Sequence, residues 1–208
     1  MRSKLPSHLR PSAELAERTG VMLYEVIYAD PPWWYADRKP GTKFGGGASG
    51  HYPLIPDDEM LGLGQWIKTL AADNCAMFVW ATGARLDFAI KVIEKWGFRY
   101  ATVAFTWIKS NKDGSIFSGI GNYTASNAEF CLLGIKGSML PEGNLVPSVI
   151  VEPRRRHSEK PSEVRERIET MYPNTRRVEL FARQQNIPGW DVWGNEVRST
   201  IPSGAASP

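Results

Sequence analysis

Short apolar runs alternate with segments of helical periodicity along most of the chain. The run at 24–29 is rich in β-branched and aromatic residues, which is typical of a buried strand. The same kind of pattern predicts further strands at 75–80, 101–108, 129–135, 149–152, 177–181 and 190–193. Between them, apolar residues at three- and four-residue spacing predict helices over 56–72, 83–96 and 161–171. Strands that alternate with helices predict an α/β fold with a doubly wound, mainly parallel sheet.

Polar segments flank this patterned region. Residues 1–20 are polar and are expected to form an N-terminal extension. From residue 197 onward Ser, Gly, Ala and Pro predominate, which predicts a disordered tail over 197–208. We therefore expect one domain over 21–196, because 208 residues are too few for two comfortable domains and no linker divides the core.

Composition narrows the class of protein. A hydrophobic content of 42% and a charged content of 23% are ordinary for a globular protein, and a net charge of +3 permits a nucleic-acid partner without requiring one. No apolar run approaches a membrane span and the N-terminus has no signal-like apolar region, so a cytoplasmic protein is expected. Cys75 and Cys131 lie inside apolar runs and are predicted to be buried free thiols. Together with three scattered His they form no ligand spacing, so no metal is expected.

Asp30 follows the first strand directly, and Pro31 and Pro32 prevent the strand from continuing. Open α/β sheets bind ligands where strands leave the sheet, so Asp30 is a candidate functional carboxylate. With the Pro31 carbonyl it would supply two acceptors for the two N–H groups of an adenine amino group, which favours the pyramidal geometry that frees the lone pair. Trp33 would then stack on the base. An ordinary Asp-Pro-Pro turn is the alternative.

The sequence Asp30-Pro31-Pro32-Trp33 also resembles the signature of the DPPW-type adenine N6-methyltransferases, which act on messenger RNA or on DNA. This resemblance covers about 21–196. It implies catalytic roles for the four motif residues and S-adenosyl-L-methionine as cofactor. It also implies the Rossmann-like fold of a circularly permuted class I methyltransferase, in which the catalytic motif precedes the cofactor residues.

Three later segments resemble further motifs of the same family. They are Ser158-Glu159-Lys160-Pro161, Glu179-Leu180-Phe181-Ala182-Arg183-Gln184-Gln185-Asn186 and Trp193-Gly194-Asn195-Glu196. Two of their positions depart from the family pattern, since Gln185 often corresponds to His and Glu196 to Gln, but both side chains can still form hydrogen bonds. The cofactor-binding residues that the resemblance implies are Asp30, Lys160, Arg183, Gln185, Asn186, Asn195 and Glu196.

Candidate substrate contacts lie mostly in loops. Tyr52 either forms a wall of the substrate pocket, as the resemblance implies, or is an ordinary half-buried loop residue. Glu129 either corresponds to a family position near the target adenine or faces solvent at the start of a strand. The basic segment 154–161 suits phosphates, or is a solvated loop before a helix. The full set of substrate-binding candidates is Trp33, Tyr52, Glu129, Arg154, Arg155, Arg156, His157 and Ser158.

The leading hypothesis is a site-specific methyltransferase that transfers a methyl group to the N6 amino group of adenine in DNA. The same chemistry on RNA is one alternative, and a non-catalytic subunit that binds nucleic acid or a methyltransferase partner is another. The motif residues Asp30, Lys160 and Asn195 are all present, which favours an active enzyme. The sequence leaves open a homodimer or a partner subunit.

Overall fold

A seven-stranded sheet forms the centre of the computed structural model, which describes residues 23–34, 54–119, 123–154 and 159–202. The strands are β1 (Tyr24–Ala29), β2 (Ala71–Thr82), β3 (Arg99–Ser110), β4 (Ala128–Lys136), β5 (Val149–Pro153), β6 (Arg177–Leu180) and β7 (Trp190–Trp193). The helices are α1 (Asp57–Gly62), α2 (Gly64–Leu70), α3 (Leu86–Lys95) and α4 (Glu163–Met171), with a 3₁₀ turn at Gly83–Arg85.

The strands lie in the order β5-β3-β4-β2-β1-β6-β7. β1 runs parallel to β2 and β6, β6 runs parallel to β7, and β3 runs parallel to β5. β4 runs antiparallel to both of its neighbours, β2 and β3. The prediction of a mainly parallel sheet is therefore confirmed, and β4 is the exception among the described strands.

Both faces of the sheet are buried. Successive residues of a strand point to opposite faces, so neighbouring residues of the central strands belong to two different clusters. On one face Ile27 and Val79 pack in a cluster with residues of α1, α2 and α3. On the other face Tyr28 and Trp80 pack with Val164 and other residues of α4. Helices on both faces explain why the central strands are apolar at nearly every position.

The predicted helix over 56–72 is wrong in extent. The chain instead forms α1 and α2, which meet at Leu63, and residues 71–74 already belong to β2. Two glycines flank Leu63 and weaken helix continuity there. Gly64 also lies against the backbone of Lys95, where an added Cβ would be 2.9 Å from the carbonyl oxygen, so the close packing of α2 requires glycine at this point.

The segment 197–202 is ordered, so the prediction of disorder from residue 197 is wrong at its start. Thr200 donates its backbone N–H to the Val192 carbonyl at 3.0 Å, and its hydroxyl accepts the N–H of Val192 at 2.9 Å. Ile201 packs against the core. The sequence pattern did not reveal this segment because backbone bonds and single side chains anchor it, without an apolar run. Residues 203–208 lie outside the described residues.

Cys75 and Cys131 are buried and free, as predicted. Burial raises the pKa of the Cys131 thiol well above its ordinary value, so this thiol stays protonated inside the core. Over the ranges that the structure describes, no helix is long and apolar enough to cross a membrane.

Candidate active site

The corner after β1 is fixed by backbone hydrogen bonds. Trp33 donates its N–H to the Pro31 carbonyl at 2.9 Å, and Ile55 donates to the Pro32 carbonyl at 3.1 Å. The Pro31 carbonyl therefore already has one local N–H partner. A carbonyl oxygen has two lone pairs, so Pro31 retains one acceptor position for a substrate.

Trp33 is part of the core, which does not support a stacking role for its ring. Its side chain is 5% exposed and its indole N–H donates to the Trp80 carbonyl at 2.9 Å. The edge of the ring meets Phe88, with ring centroids 6.0 Å apart. The ring anchors the corner to β2. The exposed ring at this corner belongs to Trp34, which is 43% exposed.

Asp30 lies at one end of a row of four alternating charges. Both of its carboxylate oxygens accept from the Lys160 ammonium at 2.7 Å. The same ammonium lies 3.3 Å from Glu129 Oε2, and Lys109 donates to Glu129 Oε1 at 2.5 Å. None of the four side chains is more than 21% exposed. The predicted residues Asp30, Lys160 and Glu129 thus meet in one cluster, and the alternative of a solvent-facing Glu129 is wrong.

The direction of β4 explains how Glu129 reaches this cluster. β1, β2 and β3 all end at the same edge of the sheet, whereas β4 runs in the opposite sense and begins there. Glu129 accordingly pairs with Thr82 near the end of β2 and with Trp107 near the end of β3. A residue at the start of an antiparallel strand therefore lies among residues from the ends of parallel strands.

Opposing effects set the protonation of the cluster. Burial raises the pKa of Asp30, and this effect outweighs the opposing influence of Lys160. Burial also acts to raise the pKa of Glu129, but Lys160 and Lys109 together hold it below its ordinary value. For Lys160, the two carboxylates outweigh burial and raise the pKa of the ammonium. Lys160 is therefore a cation at neutral pH, and Asp30 takes up a proton more readily than Glu129.

A cavity adjoins this cluster at the ends of β1 and β6. Its lining includes Asp30, Lys160, Arg165, Glu179, Arg183 and Gln184. Glu179 is 6% exposed, and Arg165 binds both of its carboxylate oxygens, from Nε at 2.7 Å and from Nη2 at 3.2 Å. Burial raises the pKa of Glu179 despite this ion pair. The cavity thus offers fixed carboxylates beside three cationic side chains.

Sequence reasoning missed Lys109, Arg165 and the role of Glu179. A signal was present for two of them. Lys109 follows directly after the predicted strand 101–108, and Glu179 interrupts the apolar run 177–181. Arg165 left no such signal, because a charged residue on an amphipathic helix is ordinary.

The two predicted cofactor segments, 183–186 and 195–196, lie against each other. Arg183 Nε is 3.5 Å from Glu196 Oε1. The Gln185 amide accepts the N–H of Arg198 at 2.8 Å and donates to its carbonyl at 3.0 Å, so this side chain already has backbone partners. Asn186 adopts a left-handed conformation with φ of 60°, which Asn tolerates better than most residues. Asn195 is exposed at the surface.

Arg154 lies at the same sheet edge as Asp30, because it follows β5 and β5 runs parallel to β3. Its guanidinium is centred 3.5 Å from the centroid of the Phe117 ring. The other predicted substrate contacts, Tyr52, Arg155, Arg156, His157 and Ser158, lie outside the described residues. Among the described residues no cluster of His, Cys, Asp or Glu is arranged to hold a metal ion.

Gly194 allows the two predicted cofactor segments to touch. A Cβ at this position would lie 2.4 Å from the Ala182 carbonyl oxygen and 2.7 Å from its nitrogen. We expect Gly194→Ala to lower the free energy of unfolding by ~1–3 kcal/mol, the usual cost of overpacking, in urea denaturation. Gly62→Ala is the matched control, because a Cβ there meets nothing within 4 Å. Equal stability of the two variants would contradict the close approach at Gly194.

Comparisons with known proteins identify the class of this site. The MT-A70 family model matches residues 24–196, so the match includes both the Asp30 corner and the segment ending at Glu196. The chain is 35% identical to the type II methyltransferase M.MunI of a Mycoplasma species, over 94% of this chain and 87% of that protein. The predicted class, a methyltransferase, is confirmed.

Longer proteins match as well. Identity is 33% with a probable N(6)-adenosine-methyltransferase MT-A70-like protein of Oryza sativa and 32% with the human N(6)-adenosine-methyltransferase catalytic subunit METTL3. Each match covers 84% of this chain but only 23% and 28% of the respective relative, so the chain spans about a quarter of their length. The chain belongs to the MT-A70 family, and the predicted resemblance to adenine N6-methyltransferases is confirmed.

Proposed function

We propose that this protein transfers a methyl group from S-adenosyl-L-methionine to the N6 amino group of adenine in DNA. The observation that carries the proposal is the position of Asp30. Its carboxylate lies at the carboxyl end of a central strand, beside a cavity, on a corner fixed by backbone bonds. The family match and the similarity to a type II methyltransferase over nearly the whole chain support the same reaction.

The donor set of the cavity fits S-adenosyl-L-methionine. The amino-acid end of this cofactor carries both charges, its ribose donates hydroxyl hydrogens, and its sulfur is cationic. The cavity offers carboxylates on Asp30 and Glu179 and cations on Lys160, Arg165 and Arg183. Lys160, Arg183, Gln185, Asn186, Asn195 and Glu196 remain our candidates for cofactor contacts. We propose that the protein is a circularly permuted class I methyltransferase, because of the order of its motifs along the chain. The catalytic corner at Asp30 follows β1. The cofactor candidates other than Asp30 and Lys160 come later, after β6 and β7.

When bound, the cofactor would supply a sulfonium methyl group: the adenine nitrogen would form a bond to the methyl carbon as the carbon–sulfur bond opposite it breaks, and S-adenosyl-L-homocysteine would leave. Asp30 and the Pro31 carbonyl accept the two N–H groups of the adenine amine and hold its lone pair toward the methyl group. Such preorganised acceptors stabilise the charge that develops on nitrogen. Because burial raises the pKa of Asp30, its carboxylate is suited to accept the proton that the methylated amine releases. A duplex substrate requires base flipping, and Trp34 presents the exposed ring for stacking at this corner.

We favour DNA over RNA as the substrate because this chain matches M.MunI over 87% of that protein's length. It matches the N(6)-adenosine-methyltransferases over only about a quarter of theirs. The test is to incubate the protein with labelled S-adenosyl-L-methionine and, separately, duplex DNA, single-stranded DNA and RNA. We expect label in N6-methyladenine after digestion of DNA. Transfer to RNA alone would establish the RNA alternative. Cofactor binding without transfer to any of the three would indicate a non-catalytic subunit.

The basic segment at Arg154, Arg155 and Arg156 is expected to bind phosphates of the substrate. Replacing all three with Ala should weaken binding to duplex DNA without changing the methylated base, because phosphate contacts fix position and the pocket selects the base. The slope of log affinity against log salt should fall by about 0.9 for each lost contact. Fluorescence anisotropy at several salt concentrations measures both quantities.

A triple variant with the same change of charge serves as the control. Lys91, Lys95 and Arg99 are exposed on α3 and at the start of β3, away from the edge that carries Asp30. Their replacement with Ala should leave the salt slope near that of the wild type. If the two triple variants behave alike while both melt like the wild type, the segment at 154–156 does not contact phosphate.

A further inference from the structure

The Lys160 ammonium binds the Asp30 carboxylate, the same group that the proposed function assigns to the adenine amine. Both Asp30 oxygens accept from this one ammonium at 2.7 Å. If Asp30 binds the amine and accepts its proton, as the proposed function requires, an ammonium shared by both oxygens opposes this role, because its positive charge weakens the carboxylate as an acceptor and lowers its pKa. Movement of the ammonium away from Asp30 removes this opposition. A cation that is mostly buried cannot lose a carboxylate without another partner nearby. The structure therefore needs a second acceptor within reach of Lys160.

Glu129 is that second acceptor. Its Oε2 lies 3.3 Å from the Lys160 ammonium, so a shift of about half an ångström gives the usual length of a charge-assisted hydrogen bond. Its other oxygen is fixed by Lys109 at 2.5 Å. The Lys109 ammonium is itself 5.1 Å from the centroid of the Trp107 ring, which restricts where it can move. Glu129 is therefore held with one oxygen directed at Lys160.

We propose that Glu129 is the alternative partner of the Lys160 ammonium, which moves from Asp30 toward Glu129 when the adenine amine binds, and that Lys109 is the positioning residue that keeps Glu129 ready for it. This inference rests on the proposed function. It explains why a cluster with no net charge contains two acids and two lysines. One acid serves the substrate and the other compensates the displaced cation.

Several charged groups face the two acids from neighbouring elements. Lys109 at the end of β3 and Lys160 before α4 face Glu129, and Asp30 at the end of β1 lies beyond Lys160. Asp30 also experiences the charge of Arg183, and the Cys131 thiol and Glu179 experience the charge of Asp30. Lys109 and Lys160 together hold the pKa of Glu129 down, so removal of Lys109 raises that pKa.

Two variants and one conservative variant test the assignment under single-turnover conditions with saturating cofactor and duplex DNA. Glu129→Gln should slow methyl transfer on the order of tenfold or more at every pH, because the displaced ammonium loses a charged partner. Lys109→Met should shift the acidic limb of the pH–rate profile to higher pH, since Glu129 then becomes protonated more easily. Lys109→Arg should restore the wild-type profile. Lys136→Met, at the far end of β4, is the matched control and should leave the profile unchanged.

A wild-type pH profile in Lys109→Met, or a wild-type rate in a folded Glu129→Gln protein, would overturn the inference. A uniform loss of rate without a shift of the profile would show that Lys109 is merely structural, and would also overturn it. If the wild type methylates no nucleic acid, the proposed function fails separately. Carboxyl ¹³C and lysine ¹⁵N NMR then decides the inference: Lys109→Met should raise the pKa of Glu129 and shift the Lys160 ammonium signal, and unchanged signals would overturn it.

Discussion

Asp30→Asn should abolish measurable methyl transfer, with a loss of at least roughly 10²–10³-fold, the size expected for one preorganised group that acts in the transition state. The amide nearly preserves the volume of the side chain. It loses the negative charge that stabilises the amine, and one of its two polar atoms is a donor. Single-turnover transfer from labelled cofactor to duplex DNA measures this effect.

Folding of the variant must be checked alongside its loss of activity, because the uncharged Asn side chain is also a weaker partner for the Lys160 ammonium. Glu129 remains as a second carboxylate for that ammonium, so we expect the variant to fold and to melt cooperatively. Asp58→Asn, an exposed residue in the first turn of α1, is the matched control and should retain the wild-type rate. Near-wild-type transfer by the Asp30→Asn protein would remove the catalytic role from Asp30.

Arg165→Met should lower the free energy of unfolding by about 3 kcal/mol at neutral pH, the cost of leaving a buried carboxylate without its partner. Arg165 is the bidentate partner of Glu179, and the two side chains are 17% and 8% exposed. The double variant Arg165→Met with Glu179→Gln removes both charges and should lose less stability than the single variant. Urea denaturation of the wild type and the variants provides the comparison.

The loss of stability in the Arg165→Met variant should depend on pH. In the wild type, burial already raises the pKa of Glu179 above that of an unfolded chain. The folded protein therefore binds this proton more tightly, so the contribution of Glu179 to stability falls as pH rises through the folded pKa. Removing Arg165 raises that pKa further. The difference in free energy of unfolding between the wild type and Arg165→Met should thus be small near pH 4 and grow toward pH 7. A difference that does not change with pH would contradict this prediction.

The elements of the fold could be predicted from the sequence where burial and periodicity act in the same direction. β1 and β7 have the predicted bounds, because β1 is a short, mostly apolar run that ends at Asp30 and two prolines, and β7 is a short run with a glycine on either side. The position of Asp30 at a strand end followed from the same run and the two prolines. Boundaries were less accurate where apolar residues are compatible with both states, as at Ala71 and Ala72, which begin β2 and do not end a helix.

The parts of the site that escaped prediction depend on tertiary arrangement. In Trp33-Trp34 the sequence could not show which ring points inward, since that choice depends on the Trp80 carbonyl in another strand. The link between Lys109 and Glu129 requires β4 to run antiparallel between β2 and β3, and no local pattern specifies strand direction. The roles of Arg165 and Glu179 likewise follow from the packing of α4 on β6.

The order of strands has a consequence for how the protein is made. β1 is the first of the described strands to be synthesised, yet it lies between β2 and β6 in the finished sheet. Its partners on one side, Arg177 to Leu180, are among the last residues of the sheet to leave the ribosome. At a synthesis rate of ~5–20 residues per second, one edge of β1 remains without its β6 partner for on the order of ten seconds. A chain interrupted before residue 177 would keep that edge open permanently, and such fragments should aggregate or bind chaperones.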